Sequence, residues 1–129
     1  MEQGLIAYLI AQCTSVGGRV YPTPPQGVVF PYIQVTRVSG APEYDNEGEA
    51  GIDHARMQID CRAATYGDAK DLAKSVRSAV SGKSNLICNG VVFTSIMISN
   101  EFVFRESGQN LTRYIYTTVL ELDIWGTLT

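Results

Sequence analysis

The side chains able to do chemistry in this chain are few, and their spacing argues against most reactions. His54 is the only histidine. A zinc site built on several histidines needs more than one, and no cysteine stands near His54 in a ligand pattern. A Ser/His/acid triad would have to use His54, and no Gly-x-Ser-x-Gly elbow accompanies it. His54 reads as a surface polar residue, neither base nor ligand. Asp60, Glu121 and Asp123 fall on positions that can cluster on one sheet face. Paired carboxylates do acid–base work when burial raises one pKa. Arg56, Arg62 and Arg113 occupy the same kind of position, so cross-strand ion pairs are the favoured reading. The sequence points to no catalytic residue, no metal site and no cofactor.

The acidic stretch with Glu43, Tyr44, Asp45, Glu47 and Glu49 is the one candidate binding segment. Calcium would need oxygen ligands at EF-hand-like spacing, and Asp45 and Glu47 with Gly48 match it poorly. Two readings remain: a partner contact that orders on assembly, or a plain solvated loop. Gly17-Gly18-Arg19 follows a helix and lacks the phosphate-loop spacing. Asn110-Leu111-Thr112 matches the glycosylation pattern by chance. Tyr114 and Tyr116 have no basic–aromatic motif around them of the kind that stacks RNA bases.

Composition narrows the partners. Ten basic residues among thirteen acidic ones give a net charge of −3. No basic stripe exists to displace counterions from phosphates, which argues against tight nucleic-acid binding and against an anionic membrane surface. No apolar run approaches the ~20 residues that span a bilayer. The N-terminus, Met-Glu-Gln-Gly, shows no signal peptide. The three cysteines, Cys13, Cys61 and Cys88, are odd in number and unpatterned, as expected of free thiols in a reducing cytoplasm. Charged residues make up only 18%, which favours a protein that covers some of its surface with partners.

The elements that position these residues follow from periodicity. Leu5, Ile6, Leu9, Ile10 and Cys13 fall on one face of a helix over 2–13, ended by Gly17 and Gly18. Arg19-Val20-Tyr21 is extended, and Pro22 to Gly27 crosses the surface as polyproline II. Tyr32 to Ser39 is a strand rich in β-branched residues. Gly40 to Gly51 is predicted as a polar loop, with Gly40 and Pro42 as breakers. Over 54–64, Ala55, Met57, Ile59, Cys61 and Ala63 alternate with polar residues, the pattern of a strand with one buried face. Thr65 and Asp68 form a capping box for a second helix, whose stripe is Ala69, Leu72, Ala73, Val76 and Val80, with Gly82 at its end. Strands follow over Val91–Ser99, Phe102–Arg105 and Thr112–Trp125, the last two joined by a hairpin loop at Gly108. The expected fold class is α+β: an antiparallel β-sheet with two α-helices packed on one face, one domain over 1–129.

Several of these stretches occur in the same succession in a known family. They are the N-terminal helix, Gly17-Gly18-Arg19-Val20-Tyr21-Pro22, Pro25-Gln26-Gly27 with Phe30-Pro31-Tyr32-Ile33, and Ala55-Arg56-Met57-Gln58-Ile59-Asp60 leading to a helix near Tyr66-Gly67-Asp68-Ala69. The chain resembles the tail-completion (tail-terminator) proteins of long-tailed bacteriophages over nearly its whole length. It departs where family members often carry an aromatic residue and this chain has Cys61-Arg62. The resemblance implies a neck protein without catalytic residues. It implies a homo-oligomeric ring, typically a hexamer, on the head-proximal end of the tail tube. That ring stops tube polymerisation and presents a surface to the head connector. The implied partners are further copies, the tail tube protein and the head connector protein, and DNA passes through the lumen without specific binding. The implied location is the host cytoplasm during assembly, then the virion neck. Two other readings compete: a head-side connector (head completion) protein, and a small cytoplasmic enzyme using an acidic pair.

Overall fold

A computed structural model describes residues 2–13, 16–23, 29–45, 48–88, 91–107 and 114–128. Two helices, α1 (Glu2–Gln12) and α2 (Tyr66–Val80), accompany β1 (Val20–Tyr21), β2 (Tyr32–Asp45), β3 (Gly48–Ala63), β4 (Ser84–Cys88), β5 (Val91–Ser107) and β6 (Tyr114–Leu128). The strands form one sheet in the order β1-β2-β3-β6-β5-β4. The α+β expectation holds, but the sheet is mixed where the sequence predicts an antiparallel one. β1 runs parallel to β2, with Val20 opposite Ile33 and Tyr21 opposite Gln34. Its cause is local. Gly17 and Gly18 take φ of 57° and 84°, a turn that a Cβ would strain. After it, Arg19 Nε donates to the Pro31 carbonyl at 2.9 Å and the Ile33 N–H to the Arg19 carbonyl at 3.0 Å. These two bonds hold the ends of the proline-rich crossing side by side, so both strands leave in one direction.

α2 forms where its capping signal lies. Thr65 is extended at φ −128°, ψ 154° and its hydroxyl accepts from the Asp68 N–H, which satisfies one of the helix's orphan donors. At the other end the Ser81 N–H reaches the Arg77 carbonyl, and Gly82, at φ 68°, turns the chain so that its N–H meets the Ile96 carbonyl at 3.1 Å. That turn delivers β4, a strand the sequence reading misses.

Three further expectations are corrected. Gly40 to Gly51 is not a loop: β2 continues to Asp45 and β3 starts at Gly48, with Tyr44 opposite Glu49 and Asp45 opposite Gly48. Both breakers have ladder partners, Gly40 opposite Ala55 and Pro42 opposite Asp53, and register shifts lie nearby between Arg37 and Ser39 and between Pro42 and Tyr44. Asn100-Glu101 does not break the chain into two strands. β5 runs through it with a register shift between Ile98 and Asn100. β6 extends past Trp125 to Leu128. The hairpin loop at Gly108 lies outside the described residues.

One buried cluster draws Leu5, Leu9 and Cys13 from α1 and Leu72, Ala73 and Val76 from α2. The same cluster takes Ile33, Met57, Ile59, Phe93, Leu120, Leu122 and Ile124 from alternating strand positions. The Tyr8 hydroxyl ties the helices together by donating to the Ala79 carbonyl at 2.6 Å. Ile10, expected on the buried stripe of α1, is exposed. Thr118 is 0% exposed and its hydroxyl has no hydrogen-bond partner. An unsatisfied buried hydroxyl carries a desolvation cost. Thr118→Val is therefore expected to stabilise the fold by about 1 kcal/mol, read as a higher urea midpoint at unchanged slope.

Candidate functional site

The β-ladder fixes which residues share the sheet face opposite the core. Arg56 lies opposite Asp123, Gln58 opposite Glu121, Asp60 opposite Val119 and Arg62 opposite Thr117. Arg56 Nε donates to Asp123 Oδ1 at 3.3 Å. Gln58 Nε2 donates to Asp60 Oδ1 at 2.9 Å and Arg62 Nη2 to Asp60 Oδ2 at 3.4 Å. Asp60 is 4% exposed, a carboxylate held by its own strand neighbours.

The ladder separates two of the three carboxylates that the sequence groups together, with Glu121, opposite Gln58, between them. Val119 and Asp123 are four residues apart on β6, so Asp60 and Asp123 stand about 13 Å from each other along the strands at ~3.3 Å per residue. Glycosidase-type carboxylate pairs need ~5–9.5 Å. Among the described residues no group of three His, Cys, Asp or Glu side chains can hold a metal. His54 stacks on Trp125 with ring centroids 4.3 Å apart and planes 1° from parallel, and its Nε2 lies 3.5 Å from Asp123 Oδ1. Arg56 pairs with Asp123 across the strands, and Arg62 with Asp60 on its own strand. Arg113 lies outside the described residues.

The bulge in β5 sets the apolar part of this face. Before it Ile96 and Ile98 point into the core, opposite Ile124 and Leu122. After it Glu101 takes the position opposite Leu120, and Phe102 comes opposite Val119. Phe102 thus stands on the same face as Asp60, and both Phe102 and Met97 are exposed there. No sequence signal announces this, because the extra residue that flips the alternation falls between two ordinary strand segments.

The two thiols described, Cys13 and Cys61, are buried and unpaired. Burial pushes both pKa values up, which keeps them as inert thiols. The side chain of Cys88 lies outside the described residues.

Of the acidic binding segment, the backbone of Glu43, Tyr44, Asp45 and Glu49 belongs to the β2–β3 hairpin. Their side chains, and Glu47 altogether, lie outside what the structure describes. Beyond Asp53, opposite Gly126, the ladder partners of β3 among the described residues are Tyr44 opposite Glu49 and Asp45 opposite Gly48. β1 flanks β2 only at Ile33 and Gln34. The segment is therefore the two-stranded end of the β2–β3 hairpin. On the molecule's other side, Lys70, Asp71, Lys74 and Arg77 of α2 and Glu101 of β5 line an open groove, with Arg77 Nη2 2.9 Å from Glu101 Oε2.

Residues 4–119 match the family model described as tail completion protein gp17. The chain belongs to that family. This tail completion protein is therefore a structural protein of a bacteriophage-type tail. Its fold is similar to a chain in the solved structure titled "Virion of native gene transfer agent (GTA) particle". The TM-score is 0.66 at 16% identity, covering 97% of this chain and 94% of that one. No curated protein matches it. No helix among the described residues of the tail completion protein is long and apolar enough to cross a membrane.

Proposed function

We propose that this protein forms a ring, of six copies by family resemblance, on the head-proximal end of the tail tube. There it blocks further tube growth and joins the tail to the head connector. The observation that carries this reading is the match to the tail completion family over nearly the whole chain. A tube built of stacked rings with complementary top and bottom faces grows until something fits its upper face without offering another. The cap therefore needs two unlike surfaces and no chemistry. Both helices cover one face of the sheet, on this reading, and leave the opposite face and the end of the β2–β3 hairpin for partners.

A lumen through which DNA slides should be neutral or acidic, since each phosphate neutralised adds affinity and retards passage. The net charge of −3 and the pairing of Arg56 and Arg62 with Asp123 and Asp60 favour that. A lumen lined mainly by Arg19, Arg37, Arg56 and Arg62 would contradict it.

Electron microscopy of particles lacking the gene tests the proposal. The expected result is DNA-filled heads without tails, together with free tails of irregular, excessive length. Normal-length tails that merely fail to join heads would support the head-side connector reading instead.

A further inference from the structure

β4 is the last strand of the row, with β5 on one side and no strand among the described residues on the other. Its register with β5 runs without a shift from Ser84 opposite Ser95 to Cys88 opposite Val91. Leu86 packs against the core cluster and fixes the strand in place. Alternate residues of such a strand turn their N–H and C=O away from the neighbour they pair with. Natural edges are blunted by bulges, prolines or charged side chains, because a bare strand is a template for pairing with another chain. Ser84–Cys88 contains no proline, lysine or arginine, and Ile87 is 73% exposed.

At the other end of the row, β1 covers β2 only at Ile33 and Gln34. Pro22 follows Tyr21 directly and has no N–H with which to extend that ladder. From Val35 to Val38, β2 therefore has no ladder partner on that side among the described residues. The stretch closes at the register shift between Arg37 and Ser39, and Val38 is 53% exposed. Its length is about 13 Å at ~3.3 Å per residue, close to the ~17 Å of the five-residue β4. The sense of the strands matches too. From β2 to β4 the row reverses four times, entering β3, β6, β5 and β4, so the two bare edges run in the same direction. One chain thus carries two unsatisfied edges of similar length and equal sense, and a second copy satisfies both.

We infer that β4 of one copy pairs in parallel with the Val35–Val38 stretch of β2 in the next copy. Rotation about a ring axis keeps the sense of every strand, so edges that run the same way within one copy meet in parallel between copies. A two-fold dimer would instead set β4 against β4 and leave β2 bare. The junction supplies ladder bonds to both edges and brings the exposed Ile87 and Val38 to one seam. The inference rests on the ring proposed above and names the surfaces that close it.

Site-specific crosslinking tests it. Ile87→Cys and Val38→Cys are made singly and together in a Cys88→Ser background. Cys13 and Cys61 are buried and stay out of reach of a short bis-maleimide. Concentrated protein and purified tails that carry it are treated, and circular dichroism melting checks that each variant is folded. The double variant is expected to give a ladder of covalent oligomers that ends at the ring, and each single variant no dimer. Separately, Ile87→Lys places a charge on the edge and leaves the core alone. It should weaken self-association by about tenfold or more in sedimentation velocity, with an unchanged melting curve.

Dimers from Ile87→Cys alone would overturn the inference, since they set β4 against β4. Self-association without a crosslink between the two positions would also overturn it and leave the ring standing. So would Ile87→Lys protein that associates as wild type does. Wild-type protein that is monomeric at every concentration and present as a lone copy in particles would remove the ring itself, and the inference with it.

Discussion

Replacing Phe93 with alanine is expected to lower the stability of the fold by about 4 kcal/mol, close to the upper end of single core truncations. The ring is 0% exposed and sits in the cluster shared by both helices and the sheet. Its ladder partners explain why the loss is hard to repair. On one side it faces Gly126, which has no side chain to move into the space. On the other it faces Leu86 of β4, the short edge strand held at its start by the Gly82 turn. A cavity that its surroundings cannot refill costs both the lost transfer energy and the lost contacts. Domains of this kind have only ~5–15 kcal/mol in total, so the variant should be partly unfolded near body temperature. Urea unfolding should show a large drop in midpoint at unchanged slope. A change below about 1.5 kcal/mol would mean that β4 collapses onto β6 and that the edge of the sheet is softer than its ladder indicates.

What could be read from the sequence depended on whether the signal was local. α2 was legible because Thr65, Asp68 and the apolar stripe act within one helix, and the cap bond is present. The inner face of β3 was legible because Ala55 to Ala63 alternate without interruption, and all five apolar positions are buried. The strand character of 40–51 was hidden, since Gly40, Pro42 and the acids oppose it locally and only pairing between β2 and β3 overrides them. β1 was read as extended, but its parallel partner depends on the Arg19–Pro31 bond across the proline crossing. The bulge at Ser99 was read as a strand end, which hid the switch that brings Phe102 onto the Asp60 face of the sheet. Of the carboxylates read as cross-strand ion pairs, Asp123 pairs with Arg56 across the strands and Asp60 with Arg62 on its own strand. The groove on α2 passed unnoticed, because its lysines look like an ordinary solvated helix face.

Asp60 provides the second large effect, and one that separates structure from chemistry. Removing its carboxylate with Asp60→Ala is expected to destabilise the protein by about 2–3 kcal/mol, because Gln58 and Arg62 lose an acceptor at a site largely shielded from water. The side chain of Asp60 is 6% exposed and that of Arg62 is 23% exposed, so water repairs little of the loss. Across the ladder stand Val119 and then Phe102, which offer no hydrogen bond in exchange. Asp60→Asn keeps one oxygen for Gln58 and should cost no more than about 1 kcal/mol. Asp123→Asn should cost less still, since the Arg56 guanidinium it pairs with is about half exposed and exposed pairs contribute little. The double variant Asp60→Asn/Asp123→Asn then decides between the two roles. If the carboxylates only hold the sheet face, particles carrying the double variant assemble with normal tails, while Asp60→Ala lowers particle yield in step with its lost stability. A double variant as stable as wild type that yields no complete particles would instead give the carboxylates a direct part in assembly. It would also mark the Asp60–Phe102 row as the face that meets the tube or the connector.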